Sequence, residues 1–289
     1  MALLCPVDAA MLERRGLFAP DIAAVVDEES MCHLTGGSAA FASELIYHGR
    51  AAFGRSGVPY GQYLLDDVLV GRVPARLHIF VSTWALSSAK RAALAARRTP
   101  GVVRAWCYAP GYLYPDRADV AGIQEVTGFA AKAANVATAE ATPTEAGKRL
   151  GLAAPWGPKQ LIRPLFSVMA AADETLATYS DGTFAVAVRR SEKGIDVFIG
   201  VPQLTPELVR ALAKMAGVHM FTEGKATVWA AEGYIVLQAH ETGPLVLNTG
   251  RQGRVIDALD GKTLGDGPEL PLTLKKGEVR VFKYEIRSN

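Results

Sequence analysis

Up to Gly217, runs of apolar residues alternate along the chain with helical patterns. Several of the runs are apolar at nearly every position, as strands are when both of their faces are buried in a parallel sheet. This pattern predicts strands at Ile22–Val26, Val58–Leu65, Arg76–Ser82, Val102–Trp106 and Ile195–Gly200. Helical spacing predicts helices at Phe41–Phe53, Asp66–Val70, Ser88–Arg98, Ala118–Thr127 and Pro206–Ala216. Such alternation is typical of βαβ units, in which helices cover both faces of a parallel sheet.

Three further stretches are less regular. A short helix is predicted at Ala9–Arg15, before the first strand. The Ala/Thr-rich stretch Ala130–Ala146 has only weak periodicity, which is compatible with a loop or with an irregular strand. Thr175–Tyr179 and Phe184–Val188 flank a short turn that contains Gly182, which predicts a hairpin.

From Val218 onward the helical patterns disappear, and short strands alternate with Gly-rich turns. The strands are predicted at Thr227–Ala230, Tyr234–Ala239, Gly243–Asn248, Val255–Asp257, Leu270–Leu274 and Val279–Tyr284. This spacing is typical of a small antiparallel β domain. We therefore predict a lead-in at 1–20, an α/β domain at 21–218 and a β domain at 219–289.

The composition adds few constraints. The 31 basic and 29 acidic residues are well mixed, which argues against a nucleic-acid footprint, and the pairs Lys90-Arg91 and Arg97-Arg98 are interpreted as solvated helix faces. The three cysteines have neither metal-ligand spacing nor the even number of a disulfide framework, so we expect no metal and no cofactor. No apolar run is long enough to span a membrane, and the start of the chain does not resemble a signal peptide. A cytoplasmic protein is the expectation.

Two parts of the chain resemble known proteins. Ala24–Ser30, Arg55–Tyr60, Leu77–Val81 and Val102–Gly111 are similar to the domain that follows the catalytic barrel in family 42 β-galactosidases, known as the trimerisation domain. Val201–Leu208, Gly217–His219 and the remainder to Lys283 are similar to the end of that domain and the C-terminal β domain. The resemblance implies a flavodoxin-like sheet of the class I amidotransferase kind, followed by an antiparallel β domain. It also implies a dimer or trimer of the chain.

The same resemblance limits the chemistry that can be expected. In family 42 the two catalytic glutamates belong to an upstream barrel, which does not fit within 289 residues. The chain is therefore interpreted as a fragment of a longer enzyme, or as a relative that assembles with a catalytic barrel domain or subunit.

Cys107 is the one candidate nucleophile. It follows a buried strand, where amidotransferase-like and related hydrolase folds place a nucleophile on a sharp turn. However, the bulky Trp106 and Tyr108 flank it, and none of the five histidines has the His-x-Glu context of an amidotransferase triad. A buried structural thiol is the preferred interpretation.

An acidic cluster, Asp27, Glu28 and Glu29, ends the first strand. Ligands of open α/β sheets bind beyond the carboxyl ends of strands, so these carboxylates are candidates for binding sugar hydroxyls or a cation. The simpler alternative is a solvated strand end or an ion pair with Arg50 or Arg55. Gly36-Gly37-Ser38 could cradle an anion before the next helix, but a loop is the better interpretation.

Aromatic residues gather after the third and fourth strands. Trp84, Tyr108, Tyr112 and Tyr114 are candidates for stacking on a sugar ring, and Trp106 is a candidate for the core. Aromatic side chains also dominate protein interfaces, which is the preferred interpretation of this group.

Three hypotheses result. The leading one is a non-catalytic accessory and oligomerisation module of a carbohydrate-active enzyme. The alternatives are a small hydrolase or amidotransferase-like enzyme that uses Cys107, and a stand-alone carbohydrate-binding protein.

Overall fold

A computed structural model of the chain describes residues 20–34, 39–231 and 233–286. Its residues group by contact into two compact units. The α/β unit comprises Asp21–Ala52 and Tyr60–Val218, and the β unit comprises Phe53–Pro59 and the described residues from His219 onward. The predicted helix Ala9–Arg15 and the Gly36-Gly37-Ser38 motif lie outside the described residues.

The first half of the α/β unit alternates strands and helices as predicted. Its elements are β1 (Ile22–Val26), α1 (Glu28–Met31), α2 (Ala39–Ala42), a π-helical stretch (Ser43–Tyr47), α3 (Gly49–Gly54, which runs on into the β unit), β2 (Tyr60–Leu64), α4 (Leu65–Leu69), β3 (Leu77–Ser82), α5 (Ser88–Ala96), β4 (Val103–Cys107) and α6 (Ala121–Thr127). The predicted helix at Phe41–Phe53 is therefore interrupted by a π-helical stretch.

The second half of this unit contains more strands than the pattern predicted. Its elements are β5 (Ala131–Ala133), β6 (Thr142–Pro143), α7 (Glu145–Arg149), β7 (Phe166–Val168), a 3₁₀ turn (Ala172–Glu174), β8 (Thr175–Thr178), β9 (Phe184–Ser191), β10 (Gly194–Ile199) and α8 (Pro206–Met215). The stretch Ala130–Ala146, left open between loop and strand, supplies two short strands and the start of α7.

These strands form one mixed sheet in the described part of the chain. The order is β2-β1-β3-β4-β10-β9-β7-β5, with β6 and β8 attached beside β9. From β2 to β10 each neighbouring pair is parallel. β9 is antiparallel to β10, because only two residues connect these strands and a parallel pair needs a long crossover. The prediction of a parallel sheet thus holds for five strands. Beyond them, β8 and β9 pair antiparallel, which confirms the predicted hairpin. The sequence did not predict that β9 is also antiparallel to β10.

Polar caps fix where the main helices begin. The Ser87 hydroxyl accepts a hydrogen bond from the backbone N–H of Lys90 at the start of α5. At the start of α8, Thr205 caps the N–H of Leu208 and Pro206 occupies the first helical position, as the sequence predicted.

Aromatic stacking lies at the centre of the α/β core. The rings of Phe80 on β3 and Trp106 on β4 are stacked with centroids 4.0 Å apart, since the two residues are partners in the parallel register. Leu65, Leu94 and Val126 from α4, α5 and α6 pack in the same buried cluster. Trp106 is therefore a core residue, as one interpretation of the sequence had it.

A row of polar side chains crosses the same sheet two residues before these rings. His78, Arg104, Asp196 and Arg189 are successive register partners on β3, β4, β10 and β9. Asp196 is buried and accepts hydrogen bonds from Arg104 Nη2 at 2.7 Å and from Arg189 Nη2 at 3.2 Å. Arg98, which follows α5, donates to the same carboxylate at 2.7 Å. We call the four register partners His78, Arg104, Asp196 and Arg189 the polar row.

The solvated-face interpretation of the basic pairs in and directly after α5 is therefore wrong for three of the four residues. Arg98 pairs with Asp196, and Lys90 pairs with the acidic cluster described below. Arg91 is buried and donates to the carbonyl oxygen of Leu86 at 3.0 Å. Helical spacing alone could not separate these residues from Arg97, which is exposed.

The β unit contains short antiparallel strands. They are β11 (Ala226–Ala231), β12 (Tyr234–Ala239), β13 (Gly243–Asn248), β14 (Gly253–Asp257), β15 (Thr263–Asp266), β16 (Glu269–Leu274) and β17 (Val279–Ile286). Five of them pair in the order β11-β12-β17-β14-β15, and β13 pairs with β16. Alternate residues such as Ile235, Leu237 and Phe282 point into a common apolar core. The sequence missed only β15, because two glycines and two aspartates in and around it obscure the alternation.

Candidate functional site

The acidic cluster at the end of β1 is held by internal contacts. Asp27 is buried and caps α1, accepting from the backbone N–H of Ser30 at 2.8 Å. Lys90 Nζ lies 2.7 Å from Asp27 Oδ1 and 3.0 Å from Glu29 Oε2. Glu28 and Glu29 are exposed. The ammonium group thus occupies the position where a cation would bind.

The prediction that this cluster forms an ion pair with Arg50 or Arg55 is wrong. The described ion pairs of Asp27 and Glu29 are made with Lys90 and not with Arg50 or Arg55. Partial burial lowers the pKa of Lys90, and its hydrogen bonds to the two carboxylates outweigh that effect, so the pKa is raised overall. The amino group of Lys90 is therefore protonated near neutral pH.

Cys107 lies inside the sheet. It is the last residue of β4 and has no exposed surface. Burial raises the pKa of its thiol to about 12, so almost no thiolate forms near neutral pH. Among the described residues, no histidine or carboxylate forms a hydrogen bond with its sulfur. These surroundings are those of a structural thiol.

The sharp turn after β4 is made by the next residue. Tyr108 has a φ of 63° and is the only described residue other than glycine with a positive φ. Its backbone N–H donates to the carbonyl oxygen of Ile199 at 2.7 Å, and its phenol donates to the carbonyl oxygen of Pro164. Strained residues of this kind cluster at binding and active sites. The strained residue at this turn is Tyr108, and not Cys107, so Tyr108 is the better candidate for a functional residue.

A cavity of about 440 Å³ lies beside this turn, within the α/β unit. We call it the aromatic cavity. Its walls follow the carboxyl ends of β1, β3 and β4, where parallel sheets bind ligands. The lining residues are His33, Leu34, Phe41, Trp84, Tyr108, Ala109, Tyr112, Leu113, Gln160, Leu161, Ile162, Arg163 and Pro164.

Aromatic rings contact one another along this wall. Phe41 lies edge-on to Trp84, with centroids 5.7 Å apart, and is tilted against Tyr108 at 4.6 Å. The indole N–H of Trp84 donates to the carbonyl oxygen of Ser30, which fixes the orientation of that ring. Burial raises the pKa of Tyr108, so its phenol stays protonated and keeps its hydrogen bond to the carbonyl oxygen of Pro164. The cavity therefore combines ring faces and edges with a few polar groups.

Three of the predicted binding residues meet at this cavity. Trp84, Tyr108 and Tyr112 line it together, whereas Tyr114 does not. The Tyr114 ring lies between the guanidinium groups of Arg91 and Arg117, each about 4 Å from its centroid. None of Asp27, Glu28 and Glu29 is among the lining residues.

The sequence missed several lining residues. Phe41 could have been anticipated, because the helix that follows a first parallel strand begins near the binding edge of the sheet. The segment from Gln160 to Pro164 carried no signal, because it has neither strand nor helix periodicity. It contributes two polar residues, Gln160 and Arg163, to the lining.

Solved structures with a similar fold are β-galactosidases. The enzyme of Bacillus circulans sp. alkalophilus matches with a TM-score of 0.64 at 14% identity, over 93% of this chain and 42% of that chain. The enzyme of Rahnella sp. R3 gives 0.60 at 19%, over 91% and 41%. A family 42 (GH42) enzyme of G. stearothermophilus gives 0.62 at 16%, over 92% and 40%. The chain has the fold of part of a family 42 β-galactosidase.

This likeness confirms, at the level of fold, the resemblance to a partial, C-terminal portion of such an enzyme. The chain spans about two fifths of the length of the enzymes it matches. No family model matches the sequence, and no curated protein does. Among the described helices, none has the length and apolar character required to cross a membrane.

Proposed function

We propose that the chain is a non-catalytic accessory and oligomerisation module of a carbohydrate-active enzyme of the β-galactosidase kind. The observation that carries the proposal is the match of more than nine tenths of this chain to about two fifths of several β-galactosidases. A catalytic barrel domain or subunit is the proposed partner. The amidotransferase-like description of the sheet belongs to the same proposal, and the strand order β2-β1-β3-β4-β10 supports it.

The chemistry of the aromatic cavity supports the non-catalytic part. Glycoside hydrolysis ordinarily needs two carboxyl groups on opposite sides of the scissile bond. No Asp or Glu is among the described residues that line the cavity. The burial of Cys107 argues against the alternative of a thiol enzyme.

A hydrolysis assay tests this part directly. The purified chain is incubated with a chromogenic β-galactoside, and release of the chromophore is followed against a buffer blank. We expect no turnover above the blank. Turnover that co-purifies with the chain through a final size-exclusion step would contradict the proposal.

The mouth of the aromatic cavity supports the oligomerisation part. Leu161 lines the cavity and still exposes 58% of its surface. An exposed apolar side chain beside aromatic rings is typical of a protein interface. We propose that a second copy of the chain covers this mouth in a dimer or trimer.

Light scattering after size-exclusion chromatography measures the oligomer. We expect a dimer or trimer that Leu161→Asp converts to monomer. Val70→Asp is the matched control, because Val70 is similarly exposed but does not line this cavity. A monomer at high protein concentration, or equal effects of the two substitutions, would exclude the cavity mouth as the interface.

A second candidate function is carbohydrate binding in the aromatic cavity. The volume and the aromatic lining favour it, because the C–H face of a sugar ring stacks on an aromatic face. Calorimetry with galactose at millimolar concentration tests it, with Tyr112→Ala expected to abolish the binding and Tyr114→Ala expected to retain it. A flat titration of the wild-type chain would exclude this function.

A cytoplasmic location is part of the proposal. Cys32 and Cys107 are both free thiols in the described part of the chain, which is usual in a reducing compartment. Localisation of a tagged full-length gene product by cell fractionation would test it.

A further inference from the structure

A second cavity of about 380 Å³ lies at the opposite edge of the same sheet, near the amino ends of β3 and β4. We call it the basic cavity. Four of its lining residues are basic, namely Arg76, His78, Arg97 and Arg104. Most of the remaining lining is apolar and includes Val68, Leu69, Val73 and Leu94. None of the described lining residues is acidic.

From this lining we infer that the basic cavity binds a small organic oxyanion, such as a phosphate or sulfate ester or a carboxylate, whose apolar part packs on the aliphatic wall. The inference does not depend on the proposed function, since it concerns a different cavity.

Arg97 is exposed and lines the basic cavity. Its guanidinium lies over Gly71, where a Cβ would come within 2.5 Å of Arg97 Nη1. Among the described residues, no carboxylate forms an ion pair with it. A planar guanidinium with free N–H donors matches the oxygens of a phosphate or carboxylate in a bidentate manner.

Arg76 provides a second set of donors. Its Nη1 donates to the carbonyl oxygen of Gly217 at 2.7 Å, which holds the side chain in place without neutralising it. The hydroxyl of Thr99 adds a neutral donor to the same lining. Two guanidinium groups and a hydroxyl are sufficient to satisfy the oxygens of one phosphate group.

Deeper in the cavity, the polar row adds positive charge. Arg104 shares Asp196 with Arg98 and Arg189, so three guanidinium groups face one carboxylate. Burial lowers the pKa of Arg104, and the attraction of Asp196 does not offset this in full because the charges of Arg98 and Arg189 oppose it. Three guanidinium groups against one carboxylate leave this group of side chains with an excess of positive charge.

His78 shapes the cavity wall without adding to that charge. Burial lowers the pKa of its ring, and its Nε2 lies 3.3 Å from the carbonyl oxygen of Val73. The neutral ring, with the apolar residues around it, makes the inner wall a surface for an apolar group. We therefore expect an anion with an organic part to bind more tightly than a bare ion.

Calorimetry at low ionic strength tests the inference with three probes: inorganic phosphate, phenyl phosphate and phenol. We expect phenyl phosphate to bind most tightly, phosphate to bind weakly and phenol to show no heat. The affinity for phenyl phosphate should fall as salt is added.

Two surface variants locate the site. Arg97→Gln and Arg76→Gln should each weaken phenyl phosphate binding roughly fivefold to tenfold, the loss of one charge-assisted contact. Arg72→Gln is the matched control, because Arg72 is exposed, pairs with Asp67 and does not line the cavity. Circular dichroism verifies that each variant is folded.

Two outcomes would overturn the inference. One is the absence of heat with phenyl phosphate at millimolar concentration. The other is a loss of affinity in Arg72→Gln as large as in Arg97→Gln, because binding would then reflect general surface charge.

Discussion

Replacing Asp196 with asparagine should destabilise the α/β unit strongly. The substitution preserves shape but removes the one carboxylate that three guanidinium groups share. It also weakens the acceptor of the indole N–H of Trp106, 3.0 Å away. Removing one partner of a buried ion pair destabilises a protein by about 3–5 kcal/mol, because the charge left behind is uncompensated.

The lower end of that range applies here. Asparagine still offers one acceptor oxygen, and Arg189 is about one third exposed, so water screens part of its charge. We therefore expect a loss of about 3 kcal/mol in the free energy of unfolding. For a unit of this size, that lowers Tm by about 6–12 °C.

Tryptophan fluorescence in a urea titration measures this loss. Trp84, Trp106 and Trp156 belong to the α/β unit and Trp229 to the β unit, so a Trp229→Phe background reports the α/β unit alone. Asp173→Asn, at an exposed position of the same unit, is the control and should change stability by less than about 0.5 kcal/mol. An effect of Asp196→Asn no larger than that of the control would refute the reasoning.

The pH dependence provides a second check on Asp196. Burial raises the pKa of this carboxyl, but the charges of Arg104 and Arg98 and the Trp106 hydrogen bond outweigh it and lower the pKa overall. A depressed carboxyl pKa stabilises the fold above the unfolded pKa of about 4 and loses that contribution as pH falls through the folded value. The difference between wild type and Asp196→Asn should therefore be constant near neutral pH and shrink only in strong acid. A difference that shrinks already between neutral pH and the unfolded pKa would contradict this assignment.

Three further predictions concern other parts of the α/β unit. Iodoacetamide should modify the exposed Cys32 and leave Cys107 untouched in the native protein, as peptide mass spectrometry would show; equal labelling would contradict the burial. Gly122→Ala should destabilise the unit in a urea titration, because its Cβ would lie 2.0 Å from the carbonyl oxygen of Gly111. This clash should outweigh the preference of helices for alanine over glycine, which is about 1 kcal/mol. A stabilised variant would refute this. Lys90→Met should lower stability by about 3 kcal/mol at pH 7, since it leaves a buried carboxylate of the acidic cluster unpaired, and a neutral result would show that this ion pair contributes nothing.

Most of the fold could be predicted because local pattern and final structure agree. The buried strands β1, β3, β4 and β10 are apolar at nearly every position, and the caps at Ser87 and Thr205 mark helix starts. The pairing of β9 with β10 and the short strand β7 could not be predicted from local pattern. They depend on which strand is adjacent in the sheet, which is a long-range property.

One shared pattern could have revealed more. Three strands share one order of residue types, which is apolar, polar, apolar, aromatic and apolar. They are Leu77–Val81, Val103–Cys107 and Ile195–Ile199. Aligning them in parallel register places the polar residues in one row and the aromatic rings in the next. That alignment predicts both the polar row and the stacking of Phe80 on Trp106.

The aromatic cavity was accessible only in part. Trp84, Tyr108 and Tyr112 follow strand ends, so their convergence was predictable from the sheet rule. Tyr114 follows the same stretch but is drawn away by Arg91 and Arg117, whose positions depend on the packing of α5 and the adjacent loop. The segment that contains Arg163 reaches the cavity from a distant part of the chain, and no local pattern encodes that approach.

The polar row also has a consequence for how the sequence can change over evolutionary time. Arg104 and Arg189 both form ion pairs with the buried carboxylate of Asp196, so the loss of this acid alone leaves both arginines without that partner. A lineage can replace these three residues with apolar ones only through nearly simultaneous changes, which should appear as covariation among the three positions. The same coupling keeps β4 and β10 in one register, since a slip by one residue would place Arg104 and Asp196 against apolar neighbours.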